Sequence, residues 1–298
     1  MPPGISTEPS SADACSSGFR NDDRLPERGG CDSVNHDIVR LVESAEARAY
    51  ASLMQAAPAA LGFRAEQVGS ATLLIASSLK ITLFNRVIGL GVGEPATERA
   101  IDGMLDTFGR EGIGNFAVHL SPAAQPAALA MWLSNRGLVP KDNWTKAYRQ
   151  ARPAAPVPTD LRIERIGPES AGAFARVACE AFQMPDMLRP WLEAGVGRSG
   201  WRHYLAYDEN RPVATGALHV ENHVGWLGLA GTLPSHRRRG AQGALMSARI
   251  NDAAALGCVW LATETAEDTA EHPNPSFHNM LRTGFTVAYQ RPNFMLEQ

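Results

Sequence analysis

The sequence predicts an α/β protein in which a central sheet is flanked by helices and the whole is built from two similar halves. Three observations predict it. A proline-rich break, "ARPAAPVPTD" at 151–160, separates two stretches of similar length. In both stretches the apolar residues alternate between the period of two expected of strands and the 3.6 expected of helices. Both stretches also end on one phrase. "MWLSNRGLVPKDNWTKAYR" (131–149) and "NMLRTGFTVAYQRPNF" (279–294) each set a short helix before a glycine and a hydrophobe, then a strand.

Taken in order, residues 1–33 are rich in Ser, Pro, Gly and charge, carry no apolar period, and read as a disordered extension. Residues 34–152 read as a helix (43–56), two strands (71–76 and 81–90), a helix (94–110), a strand (115–120), a helix (126–137) and a last strand near 144–149. Pro153, Pro156 and Pro158 exclude helix and favour an extended linker over 153–159. Residues 160–298 read as a strand (161–166), a helix (169–182), three strands (202–207, 213–219, 225–233), a helix (242–255), a strand (258–263), a short helix (275–282) and a strand (285–290). The matching rhythm points to an internal duplication.

Composition narrows the function classes. A chain with 44% hydrophobic and 20% charged residues is that of a soluble globular protein with a substantial core. A formal net charge of -3 argues against a surface built for nucleic acid, so any basic site must be local. Cys15, Cys31, Cys179 and Cys258 are far apart and lack metal-ligand spacing, which fits free thiols in a reducing cytoplasm and no metal. No stretch approaches a membrane span, and the N-terminus lacks the blocks of a signal peptide. A cytoplasmic protein without membrane partners is expected. Monomer and homodimer both stay open.

The most informative stretch is "SHRRRGAQGAL" (235–245), three arginines and a glycine opening a helix. Upstream, "VGWLGLAGTLP" (224–234) alternates as a strand, with Leu227, Leu229 and Leu233 on one face and Trp226, Ala230 and Thr232 on the other. Gly225, Gly228 and Gly231 are poor strand formers and suggest a bulge or a ligand near the backbone. A helix N-terminus offers orphan N–H groups and partial positive charge. A pyrophosphate suits both, with Gly240 and Gly243 permitting close approach and arginines adding charge-assisted bonds. Three exposed arginines on a solvated turn is the alternative. Nucleic acid ranks third, because no second basic cluster or aromatic platform accompanies the turn.

The order strand, Arg-Arg-Arg-Gly-Ala-Gln-Gly, helix, strand "CVWLAT", then a short helix ending "LRTGF" resembles the GNAT superfamily of acyl-CoA-dependent N-acyltransferases. That family's cofactor loop reads Gln/Arg-x-x-Gly-x-Gly/Ala. Arg237, Arg238, Arg239, Gly240 and Ala241 match it in order, while Gln242 stands where Gly or Ala is usual and Gly243 and Ala244 follow. Ser276 and Asn279 match the later helix. The resemblance covers nearly all of 160–298; over 34–152 it is one of rhythm, with Glu94 and Pro95 where arginines would be needed. It implies a mixed, mostly antiparallel sheet in the GNAT fold, a tandem chain with a degenerate first half, and acetyl-CoA as acyl donor. It also implies that two central strands splay apart and that a backbone N–H near Ala230, Gly231 and Thr232 polarises the thioester carbonyl.

Acyl transfer to an amine needs a group to take the amine's proton. Glu264 is the first candidate, ending its strand on the parity of Trp260 and Ala262 and so facing the cleft; a solvated carboxylate in "ETAED" is the alternative. The family's tyrosine acid aligns with Met280, which leaves Tyr289 and His278 as substitutes, although core packing and a surface position are their plainer readings. Glu221 and His223 read as turn residues. The expected function is an N-acetyltransferase acting on an amine-bearing small molecule or peptide. A CoA-binding regulatory module whose chemistry has lapsed is the alternative, motivated by Gln242 and Met280.

Overall fold

Asn35 stands in an extended conformation, and its Oδ1 accepts from the N–H groups of Asp37 and Ile38. This satisfies orphan donors at the head of helix α1 (His36–Ala56). The computed structural model describes residues 35–297, and the extension expected over 1–33 lies outside them. The first half continues with β1 (Phe63–Val68), β2 (Ala71–Ala76), β3 (Arg86–Ile88), α2 (Glu98–Arg110), β4 (Ala117–His119), α3 (Leu129–Ser134) and β5 (Leu138–Gln150). The second half comprises β6 (Arg162–Ile166), α4 (Ala171–Phe182), α5 (Arg189–Gly195), β7 (Trp201–Asp208), β8 (Arg211–Glu221) and β9 (Val224–Gly228), then α6 (Ala241–Ala255), β10 (Trp260–Ala266), α7 (Pro275–Arg282) and β11 (Thr286–Leu296).

All eleven strands form one mixed sheet, ordered β1-β2-β3-β4-β11-β5-β10-β9-β8-β7-β6. Among the described residues, only β3–β4 and β9–β10 pair in parallel. The two halves exchange their last strands. β5 lies between β11 and β10, and β11 lies between β4 and β5. The phrase shared by the two halves is therefore the part that crosses over, with Gly137 (φ 79°) and Gly284 (φ 84°) turning each short helix into its strand. Both strands outrun the sequence reading, because pairing along the whole β5–β11 ladder carries the polar run 141–143, Pro140 and Pro292 into the sheet. A register shift between Asn293 and Phe294 accommodates the prolines.

Helices cover both faces. α1, α4 and α5 pack on one, around Leu53, Phe174, Trp191 and Trp226. On the other, α2 and α3 cover the first half around Phe108 and Leu133, and α6 and α7 cover the second around Leu245 and Met280. α1 reaches strands of both halves, from β1 and β2 to β8, β9 and β10. The linker is extended and docked on α6: Asn251 exchanges hydrogen bonds with the Ala154 backbone (2.8 and 3.2 Å), and Ser247 Oγ donates to the Ala155 carbonyl (3.0 Å).

Candidate active site

The parallel pair β9–β10 stays in register from Trp260↔Val224 to Thr263↔Leu227 and then separates. β10 continues to Ala266 on the arm of β5, pairing Glu264 with Lys146. β9 stops because Leu229 takes up a left-handed conformation (φ 50°), a local break of the kind the glycine-rich strand suggested. The break also corrects the expected parity. Leu229 packs in the α1 cluster, opposite Leu227 in the α6 cluster. Gly231 N–H is met by Thr215 Oγ1 at 3.3 Å, whereas Ala230 N–H has no partner among the described residues.

A cleft of about 290 Å³ occupies the V between the strands. Its lining includes Met246, Arg249, Ser276 and Met280 from the α6–α7 face and Tyr50, Phe84, Trp191 and Trp226 from the α1 face, so the cleft passes through the sheet. At the first end stands the N-terminus of α6. Gly240 (φ 80°) precedes it, no side chain caps it, and Arg238 (φ 64°) turns the chain into it. Ala244 N–H bonds Gly240 carbonyl, so the N–H groups ahead of Ala244, through Ala241, Gln242 and Gly243, carry no intrahelical bond. Arg237 and Arg238 are exposed.

Four members of the expected loop, Arg239, Gly240, Gln242 and Gly243, meet other parts of the chain. Arg239 donates to Asp208 (Nη1–Oδ2 2.7 Å) and Asp160 (Nε–Oδ2 3.1 Å), so its charge is already met by the carboxylates that fasten linker and β7 to the loop. A Cβ on Gly240 would run into the Pro158 carbonyl, and one on Gly243 would lie 2.7 Å from Val157 Cγ1. The small residues there admit the docked linker. Gln242, the departure from the motif, is turned inward: its Nε2 donates to the Gly231 carbonyl and to Thr232 Oγ1, both at 2.9 Å, tying α6 to the broken end of β9.

At the other end stands Glu264, its side chain 4% exposed and part of the cleft wall. Its Oε2 accepts from Lys146 Nζ and from Trp226 Nε1, each at 3.0 Å. Burial pushes its pKa up, against the opposing charge of Lys146. Behind it the charges continue: Lys146 Nζ donates to Glu46 (2.9 Å), Arg291 to Glu46 (2.6 Å) and Glu43 (2.9 Å). Arg86 lies 3.5 Å from Glu46 and over the Tyr50 ring. Burial works against the charged form of Glu46, yet Arg291, Lys146 and Arg86 together hold its pKa well below the usual carboxylate range. Three carboxylates against three cations keep this buried cluster balanced.

The substitutes for the missing acid do not reach the cleft. Tyr289 lies in the buried cluster on the far side of Lys146, with its hydroxyl donated to Glu43 Oε1 at 2.7 Å. Burial, reinforced by the Glu43 charge, raises its pKa well above the ordinary phenol value. His278 is exposed and faces Asp268 at 3.4 Å. Met280 is buried; it lines the cleft together with Ser276, which is exposed, and Asn279. His223 lies in the β8–β9 turn, bonding the Gly257 carbonyl, and Glu221 lies 4.0 Å from Arg48. Sequence reasoning missed Lys146, Trp226, Glu46 and Tyr50. The signals were present: Glu43, Glu46 and Tyr50 fall at i, i+3 and i+7 of one helix face, and Arg86, Lys146 and Arg291 are cations inside strands.

The fold and cleft share one arrangement, a splayed parallel pair within a mostly antiparallel sheet, entered beside an uncapped helix. Residues 173–281 match the model of the acetyltransferase (GNAT) family. The chain is similar to a GCN5-related N-acetyltransferase from Kribbella flavida (TM-score 0.60, 17% identity, covering 85% of this chain and 94% of that one). A second, from Sphaerobacter thermophilus, superposes with a TM-score of 0.57 at 16% identity, over 84% and 92% of the two chains. A tandem GNAT protein from the clavulanic acid biosynthesis pathway gives 0.53 at 16% identity, over 75% and 77%. No curated protein matches the sequence. Among the described residues no helix is long and apolar enough to cross a membrane.

The first half differs at the corresponding position of its sheet. Beyond the parallel pair β3–β4, Gln125 N–H bonds the Gly91 carbonyl (2.8 Å) and Ala96 N–H bonds the Gln125 carbonyl (2.8 Å), so the segments that follow the two strands are tied to each other. The N-terminus of α2 is capped by Thr97, whose side chain accepts from Ala100 N–H.

Proposed function

We propose that the chain is an N-acetyltransferase that moves the acetyl group of acetyl-CoA to a primary amine by direct attack in a ternary complex. The observation that carries this reading is one continuous cleft with an uncapped helix N-terminus at one end and a buried carboxylate of raised pKa at the other. In this reading the free amides ahead of Ala244, with Arg237 and Arg238, hold the pyrophosphate. The pantetheine arm runs past Ser276 and Asn279 into the V. Ala230 N–H donates to the thioester oxygen, where negative charge develops. Glu264 takes the proton of the bound ammonium, the neutral amine attacks the carbonyl carbon, and collapse expels the CoA thiolate as the amide forms. The proton left on the new amide nitrogen passes to the thiolate or to water. No step uses a metal. The first half, 34–152, supplies Tyr50, Phe84 and Trp144 to the acceptor side, and its own cofactor site has lapsed. The free, buried thiols Cys179 and Cys258 fit a reducing cytoplasm.

A CoA-binding regulatory module is the second reading, favoured by Met280 in the acid's position and by Tyr289 and His278 lying away from the cleft. Incubation with acetyl-CoA and a panel of amines separates the two. Amine-dependent release of CoA thiol supports the transferase; acetyl-CoA binding without release for any amine supports the module.

A further inference from the structure

The acceptor side of the cleft is walled by rings. Tyr50 and Trp226 meet edge to face at 5.1 Å between centroids, and Phe84 and Trp191 at 5.3 Å. Trp144 joins this lining. Such pairs are rigid, so a ligand against them orders little that is not already ordered. The entrance is apolar as well. Leu83 and Phe182 line the cleft while remaining 41% and 43% exposed, a cost in water unless they receive an apolar ligand.

Charge sets the other boundary. Glu264 is the one carboxylate lining the cleft among the described residues, and it already accepts from Lys146 and Trp226. A polyamine or aminoglycoside carries several ammonium groups, each needing a carboxylate or water on leaving solvent. A single ammonium on an apolar body asks for one acceptor at the bottom and apolar walls around the rest.

We infer that the acceptor is a primary amine carried on an aromatic or bulky apolar body, an arylalkylamine, seated between Trp226, Tyr50, Phe84 and Trp191 with its nitrogen toward Glu264. The inference rests on the transferase reading for the role of Glu264, but the class of ligand follows from the walls. The test therefore reads binding and turnover separately. Phenethylamine, tryptamine, spermidine and kanamycin are titrated against the full chain while tryptophan fluorescence is followed, and CoA release is measured with each in the presence of acetyl-CoA. Binding of phenethylamine and tryptamine at least ~10-fold tighter than of spermidine is expected. Leu83→Ala and Phe182→Ala, at partly exposed positions, should each weaken phenethylamine binding several-fold while the thermal midpoint holds. Arylalkylamine binding without turnover keeps the class of ligand and overturns the transferase reading. Turnover of spermidine or kanamycin with no arylalkylamine binding does the reverse. Arylalkylamine affinity indifferent to both substitutions overturns the inference.

Discussion

At the residue scale the account turns on Glu264. The strand parity that aimed it at the cleft was legible in the sequence, because no bulge interrupts β10 between Trp260 and Ala266. Lys146 was not, since it comes from the other half on an exchanged strand. Glu264→Gln keeps the shape and one hydrogen bond but cannot accept a proton. Turnover should fall ~10²- to 10⁴-fold while acetyl-CoA affinity holds, read by steady-state kinetics and calorimetry. Because burial raises the Glu264 pKa, the wild-type rate should climb with pH through a value above the ordinary carboxylate range. The Gln variant should lack that limb once ionisation of the free amine has been subtracted. The arginines divide in a way their sequence could not reveal. Arg237→Ala with Arg238→Ala should weaken acetyl-CoA binding by ~10-fold per side chain. Arg239→Ala should instead lower the melting temperature, since Arg239 serves Asp160 and Asp208.

At the scale of elements, α6 joins the arginine loop, the broken strand and the linker. Its start was legible from Gly240 and the apolar spacing that follows. The contacts that make Gly240 necessary were not, because they come from Pro158 and Thr159, far away in sequence. Gly240→Val should therefore act twice, through strain at φ 80° and by expelling the linker. Protease sensitivity at 153–159 should rise together with the loss of acetyl-CoA affinity, whereas lost affinity with an intact linker would assign the glycine to the ligand alone. Two elements escaped the sequence reading for different reasons. β1, "FRAEQV", is an edge strand paired only with β2 and lacks a buried apolar face, and α5 is only seven residues long. The parallel splay and the exchange of β5 and β11 depend on pairing between distant segments, which local periodicity does not encode.

At the scale of the molecule, stability and pH are linked through buried histidines. His203 is 1% exposed, packed at 4.7 Å from the Phe174 ring, and burial lowers its pKa to about 4. His119 is held low by burial and by Arg291 and Arg86. In the unfolded chain both take up a proton near pH 6.5, and in the folded chain only at lower pH. The contribution of these histidines to stability is therefore complete above about pH 7 and is lost as pH falls toward 4, with His203 alone contributing ~3 kcal/mol. Chemical denaturation at pH 7 and pH 5 should show that drop, and His203→Phe should reduce it. The same scale holds the central claim, that two halves sharing one sheet keep one working acyl-CoA cleft, in the second half. A crystal structure with acetyl-CoA tests it most directly. The account predicts one molecule per chain, its pyrophosphate on the amides ahead of Ala244 and its thioester between β9 and β10 near Ala230. A pyrophosphate at the N-terminus of α2, or acetyl-CoA bound outside the V, would contradict it.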